Sequence, residues 1–420
     1  MTIDPSQFVV DGITPSRVEI PASLGELSGM VAGAHEASEA IIASGGRTAM
    51  GLGNVPARYD VAIDISNLNT IVEFEPADLT VVVRAGVTIQ ALQDQLAEHG
   101  QWLPYDPAFG DRATIGGALA TNAVGTIRGS VGGVRDLTLG LKVVEADGSI
   151  TKSGGRVVKN VQGFDLVRLH TGALGTLGII AEAAFKIALL PTAHSAVLAW
   201  VDSIDTARSV GMNLFNGSFM PMKLTIHAGT TAQAAVESLS GQSLDADEAF
   251  LVEVHLAGGN RTVRRQVDEV TSLLGSEMVD GYEVVDNLDD LHPQLALDAL
   301  DSSGTVATRG TFKPVAAFDF TEKAAARSAS IATQLHVATG TVLSAWDVSD
   351  AESFDQLAGE LRANARRGGA RLVIERCPYE FKNGIDVWDG AGQELEISRR
   401  MKEQFDSAGT LNPGRFVAGI

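Results

Sequence analysis

Three glycine-rich clusters punctuate the first half of this 420-residue chain, at residues 45–50, 104–136 and 159–180. Glycine reaches positive φ and has no Cβ, so the main-chain N–H groups beside it can approach a phosphate or a planar ring. The chain has 45 glycines but no collagen-like or low-complexity period. Their local concentration therefore predicts a pocket for a large anionic ligand.

Length and charge restrict the remaining possibilities. A chain of 420 residues exceeds what one hydrophobic core normally supports, so we expect two domains or one domain with an insertion. A net charge of −20 repels nucleic acid and anionic lipid, and we expect neither as a partner. The longest apolar stretch, residues 177–190, is interrupted by Glu182 and Lys186, which argues against a membrane span. We expect a cytoplasmic chain, with membrane association only through partner subunits.

The cysteine content restricts redox chemistry. Cys377 is the one cysteine in the sequence, so an intramolecular disulfide is excluded. An iron–sulfur cluster held by this chain alone is excluded as well, because a cluster needs several thiolates. Electrons that pass through this chain must therefore leave it through something else.

Local patterns predict strands and helices in the first half. Thr88, followed by three apolar residues at helical spacing, predicts a capped helix that ends at Gly100. Residues 137–143 alternate with a period of two, and Asp147-Gly148 supplies a turn, which together predict a hairpin. A buried strand is predicted over residues 177–181.

The pattern changes after Pro191, where strands alternate with polar helices. This predicts an α+β domain with a sheet covered on one face. We therefore assign residues 1–190 to a first domain and residues 191–395 to a second. The segment 396–420 resumes the helix and turn pattern of the first part, and we expect it to return to the first domain.

The first glycine cluster, Gly45 to Met50, follows an apolar string and predicts either backbone donors around a pyrophosphate or an ordinary loop. The ordinary loop is the commoner of these two structures for a lone glycine pair. A nearby G-x-G-x-x-G near-match, residues 51–56, ends in Pro56 and has no helical pattern behind it. A dinucleotide-binding Rossmann fold, and with it NAD, is therefore disfavoured.

The second and third clusters carry a more specific pattern. The second contains, in order, Pro104 to Pro107, Ala113 to Gly117, Asn122, Gly125 and Arg135-Asp136, and the third contains Lys159 to Leu166 and Gly172 to Ile180. This ordered set resembles the flavin-binding domain of the vanillyl-alcohol-oxidase superfamily. Residues 405–415 resemble the closing segment of the branch that oxidises D-2-hydroxy acids, with Ser407 in place of the usual proline. Within the superfamily the chain is most similar to the smaller FAD-binding subunit of bacterial glycolate oxidase.

The resemblance implies an α+β fold, with a two-subdomain PCMH-type FAD-binding domain and an α/β cap domain that has an antiparallel sheet. It implies FAD bound non-covalently, because Arg47 stands where a histidine often attaches the flavin and no cysteine is near. The expected FAD-binding residues are Gly45, Gly46, Arg47, Thr48, Ala49, Met50, Pro104, Thr114, Ile115, Gly116, Gly117, Asn122, Gly125, Gly175, Gly178, Ile180 and Asn412.

The same branch carries an H-G-D-G-N-x-H stretch that holds a metal, whereas residues 341–348 here read TVLSAWDV. We therefore expect no metal site. Oxidation of a 2-hydroxy carboxylate needs a cation for the carboxylate and a base for the hydroxyl proton. Arg309, Arg415 and His255 are the catalytic candidates; the alternatives are a structurally paired arginine on a strand and a histidine satisfied in the core.

The resemblance implies an FAD-dependent oxidoreductase that acts on a CH–OH group of a small molecule. In detail it implies the flavin-bearing subunit of a glycolate or D-2-hydroxy-acid dehydrogenase complex, with a paralogous FAD subunit and an iron–sulfur subunit as partners. Two alternatives remain open. One is a self-sufficient, metal-free FAD dehydrogenase or oxidase of a sugar acid or polyol, and the other is a non-catalytic scaffold that keeps the flavin fold.

Overall fold

The chain forms two compact units in the computed structural model. The first unit comprises Met1–Gly125, Gly132–Leu190 and Lys382–Ile420, and the second comprises Thr126–Val131 and Pro191–Phe381. The C-terminal part of the first unit thus starts at Lys382, ahead of the expected residue 396. The structure describes residues 3–155, 165–241, 245–246, 248–277, 279–287, 295–296, 305–390 and 392–420.

The first unit contains short strands and short helices. Its strands are β1 Arg17–Glu19, β2 Ile41–Ser44, β3 Val61–Asp64, β4 Ile71–Glu75, β5 Thr80–Arg84, β6 Gln101–Trp102, β7 Thr138–Val144, β8 Ile150–Gly154, β9 Ile179–Lys186 and β10 Ala188–Leu189. Its helices are α1 Leu24–Glu36, α2 Ile89–Ala97, α3 Ile115–Thr121, α5 Val134–Leu137, α6 Leu166–His170 and α12 Leu395–Phe405.

The strands of the first unit form separate sheets. A parallel sheet has the order β1-β3-β2, an antiparallel sheet has the order β4-β5-β9-β7-β8, and β10 pairs with β6. Apolar residues of both larger sheets and of α1, α2 and α3 share one continuous core. Because the core contacts both sheets, it holds the ends of their strands in place, and with them the loops that connect the strands.

Several local predictions are confirmed. The side chain of Thr88 caps α2 by accepting from Ala91 N at 3.2 Å. β7 and β8 form the predicted hairpin around Gly148, whose φ is 84°. The predicted strand at 177–181 begins two residues late, at Ile179, and continues to Lys186. It begins late because residues up to Gly178 belong to the irregular third glycine cluster.

The second unit is built on one large sheet. Its strands are β11 Ala193–Val201, β12 Lys223–Ala228, β13 Phe250–Gly258, β14 Gly281–Val285, β15 Val306–Thr311, β16 Ser330–His336, β17 Thr341–Trp346 and β18 Leu372–Arg376. Its helices are α4 Arg128–Val131, α7 Ile204–Asn216, α8 Thr230–Ser240, α9 Asn260–Ser276, α10 Pro314–Ala325 and α11 Ala351–Arg367. All pairings in this sheet, ordered β14-β11-β13-β12-β16-β17-β15-β18, are antiparallel.

Helices lie on both faces of this sheet, which corrects the expectation of a sheet covered on one face. Gly211 of α7 packs close to Ile226, whose side chain lies on one face of β12. Val236 of α8 packs with Leu198 and Leu251, which the strand register places on the opposite face. The polar helix pattern could not show this, because an amphipathic helix fits either face equally well. No helix in the described ranges is both long enough and apolar enough to cross a membrane.

A partly buried lysine holds the end of the chain in the first unit. Lys402 Nζ on α12 contacts Asp406 Oδ2 at 2.6 Å and donates to Thr176 O at 2.9 Å and Leu411 O at 2.8 Å. The Asp406 carboxylate also accepts from the backbone N–H of Leu411 at 2.7 Å. Burial lowers the pKa of Lys402, and the neighbouring Asp406 carboxylate opposes that shift.

We expect Lys402→Met to lower the midpoint of thermal unfolding by about 5 °C or more. The substitution leaves Asp406, 3% exposed, without its cation. The matched control is Arg400→Met on the same helix, which removes a cation from an exposed pair with Glu396. Thermal melts of the three proteins followed by circular dichroism measure the effect, and equal midpoints for the Lys402 variant and the native chain would contradict it.

Candidate cofactor site

The first glycine cluster lies directly against the second. The loop that follows β2 passes Arg112 and Thr114 so closely that a Cβ on Gly46 would lie 1.7 Å from Arg112 O. A Cβ on Gly45 would lie 2.3 Å from Thr114 Oγ1. A side chain at residue 46 would therefore force the backbone to move, and one at residue 45 would displace the Thr114 side chain.

Residues 46–49 of this loop present free backbone donors. Their N–H groups donate to no other protein group in the part of the chain that the structure describes. Arg47 has φ 56°, a left-handed conformation that is strained for a side chain of this kind. Successive N–H groups around such a residue form a concave anion-binding turn.

The side chain of Arg47 contributes little to this concavity. Its guanidinium donates to Gln7 O at 2.6 Å and lies over the Phe8 ring, 4.7 Å from the centroid. The loop therefore offers backbone donors to a ligand, while the Arg47 side chain is occupied at the N-terminal segment.

The second cluster forms the start of α3 and the turns around it. Thr114 caps α3 and accepts from Gly117 N at 3.3 Å. Gly116 lies so close to β5 that a Cβ there would be 2.8 Å from the Cβ of Ala85. Ile115 is fully buried, so its side chain belongs to the core. Pro104 is buried as well.

The loop after Pro104 returns to the end of the cluster. Pro107 forms an isolated β-bridge with Gly125, and a Cβ on Gly125 would lie 2.2 Å from Asp106 Oδ1. The close approach explains the glycine at 125, because any side chain would push the two segments apart.

The third cluster joins the C-terminal end of α3. Leu174 N donates to Ala120 O at 2.8 Å. A Cβ on Gly178 would lie 2.4 Å from Val143 Cγ1, and Ile180 is buried in β9. These two residues therefore pack the sheet, and their side-chain positions face the core. The preceding motif residues 159–164 lie outside the described residues.

Asn412 joins the C-terminal segment to the third cluster. Its Nδ2 donates to Leu174 O at 2.6 Å, and a Cβ on Gly175 would lie 2.9 Å from the same nitrogen. Asn412 Oδ1 and Asn122 Oδ1 are both buried, and neither has a hydrogen-bond partner among the described residues. Two orphaned acceptors in a predicted binding set are what an absent ligand or bound water would satisfy.

Two buried cations bind backbone carbonyl oxygens of the first glycine loop, which follows β2 and contains the first glycine cluster. Arg415 Nη2 donates to Met50 O at 2.6 Å and to Leu52 O at 2.5 Å. Lys382 Nζ donates to Gly51 O at 2.8 Å and to Gly53 O at 3.0 Å. The sequence gives no motif around Lys382, so this residue was not predicted.

Arg415 is 2% exposed, and its Nε has no partner in the described part of the chain. Burial lowers the pKa of Arg415, opposed by Asp11 and Tyr59. The guanidinium stays protonated at neutral pH in any case. Its predicted role beside the flavin stays a prediction, whereas its contact with the glycine loop is direct.

His170, on α6 beside the third cluster, was also missed as a candidate. It is 3% exposed, both ring nitrogens lack a hydrogen-bond partner among the described residues, and burial lowers its pKa to about 4. A Cβ on Gly178 would lie 3.3 Å from its Cε1. The one available signal was its position two residues before Gly172.

The other two catalytic candidates lie in the second unit. Arg309 on β15 is ion-paired with Glu375 on β18. His255 on β13 contacts His194 across 3.3 Å between Nε2 and Nδ1, and burial lowers the pKa of His255 to about 4. Both candidates thus have protein partners already, and their catalytic roles stay predictions.

The first unit therefore unites the three glycine clusters and residue 412 in one place. It offers free backbone N–H groups for phosphates, buried unsatisfied acceptors, and glycines that allow close approach of main chain. These residues fit a large anionic cofactor with a planar ring system such as FAD.

Comparison with known proteins supports the same cofactor. Residues 15–154 match the family model of an FAD binding domain. The chain is 25% identical to glycolate oxidase subunit GlcD of Bacillus subtilis, over 96% of this chain and 89% of that protein. It is 33% identical to D-2-hydroxyglutarate dehydrogenase of Xanthomonas citri pv. viticola over 47% of this chain, a match that spans only 42% of that dehydrogenase.

The fold has a solved counterpart. The structure of an alkyldihydroxyacetonephosphate synthase superimposes with a TM-score of 0.73 and 17% identity, over 96% of this chain and 78% of that one. This likeness confirms the predicted α+β fold class. Residues 15–154 therefore form a PCMH-type FAD binding domain of the vanillyl-alcohol-oxidase superfamily, and the chain is homologous to GlcD over most of its length.

Proposed function

We propose that this chain is the flavin-bearing subunit of a complex that oxidises glycolate or a D-2-hydroxy acid and passes the electrons to an iron–sulfur subunit. The observation that carries the proposal is the similarity to GlcD across 96% of the chain. The similarity to a D-2-hydroxyglutarate dehydrogenase supports the same substrate class. A paralogous FAD subunit is the second partner we propose.

The residues of the first unit support non-covalent FAD. The N–H groups of residues 46–49 would bind the pyrophosphate, and the backbone around Thr114 to Gly117 and around Gly175 would lie along the cofactor. The Arg47 side chain is engaged by Gln7 and Phe8, so it provides no attachment point. FAD, when bound, supplies a two-electron acceptor for oxidation of the carbon that carries the hydroxyl.

The thiol content bears on where an iron–sulfur cluster of the proposed complex would be held. Cys377 is buried and is the single cysteine of the sequence. Because a cluster needs several thiolates, the iron and sulfur would have to belong to another subunit.

We expect the purified chain to release its flavin into the supernatant on acid precipitation, because no covalent bond retains it. In a second sample, kept native and anaerobic, addition of glycolate or D-lactate should bleach the visible flavin absorbance of the protein. Flavin that stays in the precipitate would contradict non-covalent binding. Bleaching by a sugar acid or polyol, and by neither hydroxy acid, would contradict the proposed substrate class.

Gly46→Ala should weaken FAD affinity about tenfold or more, equivalent to about 1.4 kcal/mol. The added methyl meets Arg112 O, so the loop must move and its N–H groups lose their arrangement. Fluorescence titration of the apoprotein with FAD measures the dissociation constant, and a thermal melt of the apoprotein separates lost affinity from lost folding.

The matched control is Gly29→Ala on the surface of α1, where nothing lies within 4 Å of the new Cβ. Alanine is favoured over glycine inside a helix, so this variant should keep native FAD affinity and melt no earlier than the native chain. Equal FAD affinity of the two variants would remove the first loop from the proposed site.

A further inference from the structure

One face of the second unit's sheet carries a row of polar side chains across adjacent strands. Thr225 on β12 is in register with Glu253 on β13 and with His336 on β16. Residues opposite each other in a sheet project to the same face with their Cβ atoms about 5 Å apart. Lys223 and His227 lie two residues to either side of Thr225 and therefore share this face.

An ion pair lies at the centre of this row. Glu253 Oε2 contacts Lys223 Nζ and His227 Nε2, each at 2.7 Å. Glu253 and His227 are 2% and 1% exposed. Burial opposes ionisation of Glu253, yet Lys223 and His227 hold its pKa well below its ordinary value. The carboxylate is therefore charged, and its negative charge is balanced by Lys223.

Several polar atoms around this ion pair have no partner. His336 is 3% exposed, and neither its Nδ1 nor its Nε2 has a hydrogen-bond partner within the described ranges. Thr225 Oγ1 and Gln334 Oε1 also lack a hydrogen-bond partner within the described ranges. Gln334 lies two residues before His336 on β16, opposite His227. Lys223 has three N–H donors, of which Glu253 accounts for one among the described residues.

Such a cluster is costly unless something satisfies it. A buried polar group without a partner has lost its hydrogen bonds to water without replacement, and this cluster contains four such atoms in addition to the spare donors of Lys223. A protein keeps such groups where water or a ligand completes them. Packing alone does not explain them, because apolar side chains would fill the same face at lower cost.

We propose that this face binds a small 2-hydroxy carboxylate, with the unused N–H donors of Lys223 for the carboxylate and His336 as the acceptor for the hydroxyl. The class of ligand rests on the proposed function. The choice of residues rests on the orphaned atoms and on the unused donors of Lys223. Lys223 and His336 were not predicted from the sequence.

The chemistry of each residue fits its part. Lys223 is 11% exposed at its side chain, so a ligand can reach donors that Glu253 leaves unused. Burial, with lesser contributions from Lys223 and His227, lowers the pKa of His336 to about 3. The imidazole is therefore neutral at physiological pH and has one nitrogen that accepts a hydrogen bond from a hydroxyl. Thr225 adds a hydroxyl that can donate or accept.

Oxalate tests the carboxylate part of the site without oxidation, because it carries no hydroxyl carbon to oxidise. Isothermal titration of the flavin-loaded chain with oxalate should give a dissociation constant about tenfold higher in Lys223→Met, and near the native value in Lys223→Arg. Arg265→Met on α9, which removes a surface cation paired with Glu269, is the matched control and should bind oxalate as the native chain does.

A hydroxy acid tests the other part. His336→Leu should keep the oxalate dissociation constant within about threefold of native, because oxalate has no hydroxyl to donate. The glycolate or D-lactate concentration for half-maximal anaerobic flavin reduction should rise about tenfold in the same variant. His336→Asn, which keeps an acceptor, should recover part of that loss. A merely structural role would shift both ligands together and would lower the thermal midpoint as well.

The outcomes separate this site from the proposed function. Failure of every hydroxy acid to reduce the flavin would overturn the proposed function, while oxalate binding that Lys223→Met abolishes would still support the site. Flavin reduction by a hydroxy acid combined with oxalate binding that is absent, or that is unchanged in Lys223→Met, would overturn the site and leave water as the occupant of the cluster.

Discussion

The conformation of the first glycine loop depends on two cations that are buried beneath it. Arg415 and Lys382 together bind four consecutive carbonyl oxygens, those of residues 50–53. Hydrogen bonds from charged donors are roughly twice as strong as neutral ones, and here they form in a low-dielectric interior. Lys382 is 1% exposed at its side chain and is also paired with Asp11, so its charge is compensated. The loop is thereby fixed before any ligand binds.

The bound carbonyls of residues 50–53 also restrict the residues that come before them in the loop. The free N–H groups of residues 46–49 directly precede these carbonyls, so the hydrogen bonds from the two cations limit the directions in which the N–H groups can point. Both cations come from the C-terminal segment, and Asn54 N returns a hydrogen bond to Arg415 O at 2.9 Å. Cofactor affinity should therefore depend on the last forty residues even where they do not touch the cofactor, since pre-organised donors lose less entropy on binding.

Glycine and short motifs make part of the candidate site visible in the sequence. Gly45, Gly46 and Gly125 lie where the chain approaches itself too closely for a Cβ, and such positions leave a visible glycine. The α2 cap at Thr88 and the turn at Gly148 followed for similar local reasons. Lys382 could not be predicted, because an isolated lysine in a polar stretch reads as a surface residue until the fold places it among carbonyls.

In the second unit, local sequence says even less about which residues meet in the folded chain. Lys223, Glu253 and His336 are separated by 30 and by 83 residues along the chain, and only antiparallel pairing of β13, β12 and β16 puts them on one face of the sheet. Each strand alone reads as apolar residues interrupted by several polar ones, which is compatible with an exposed face or with paired polar residues in the core. Register is the property that decides between these, because a slip of one residue would turn the whole row to the opposite face. The charge balance of the row thus depends on pairings that no local pattern records.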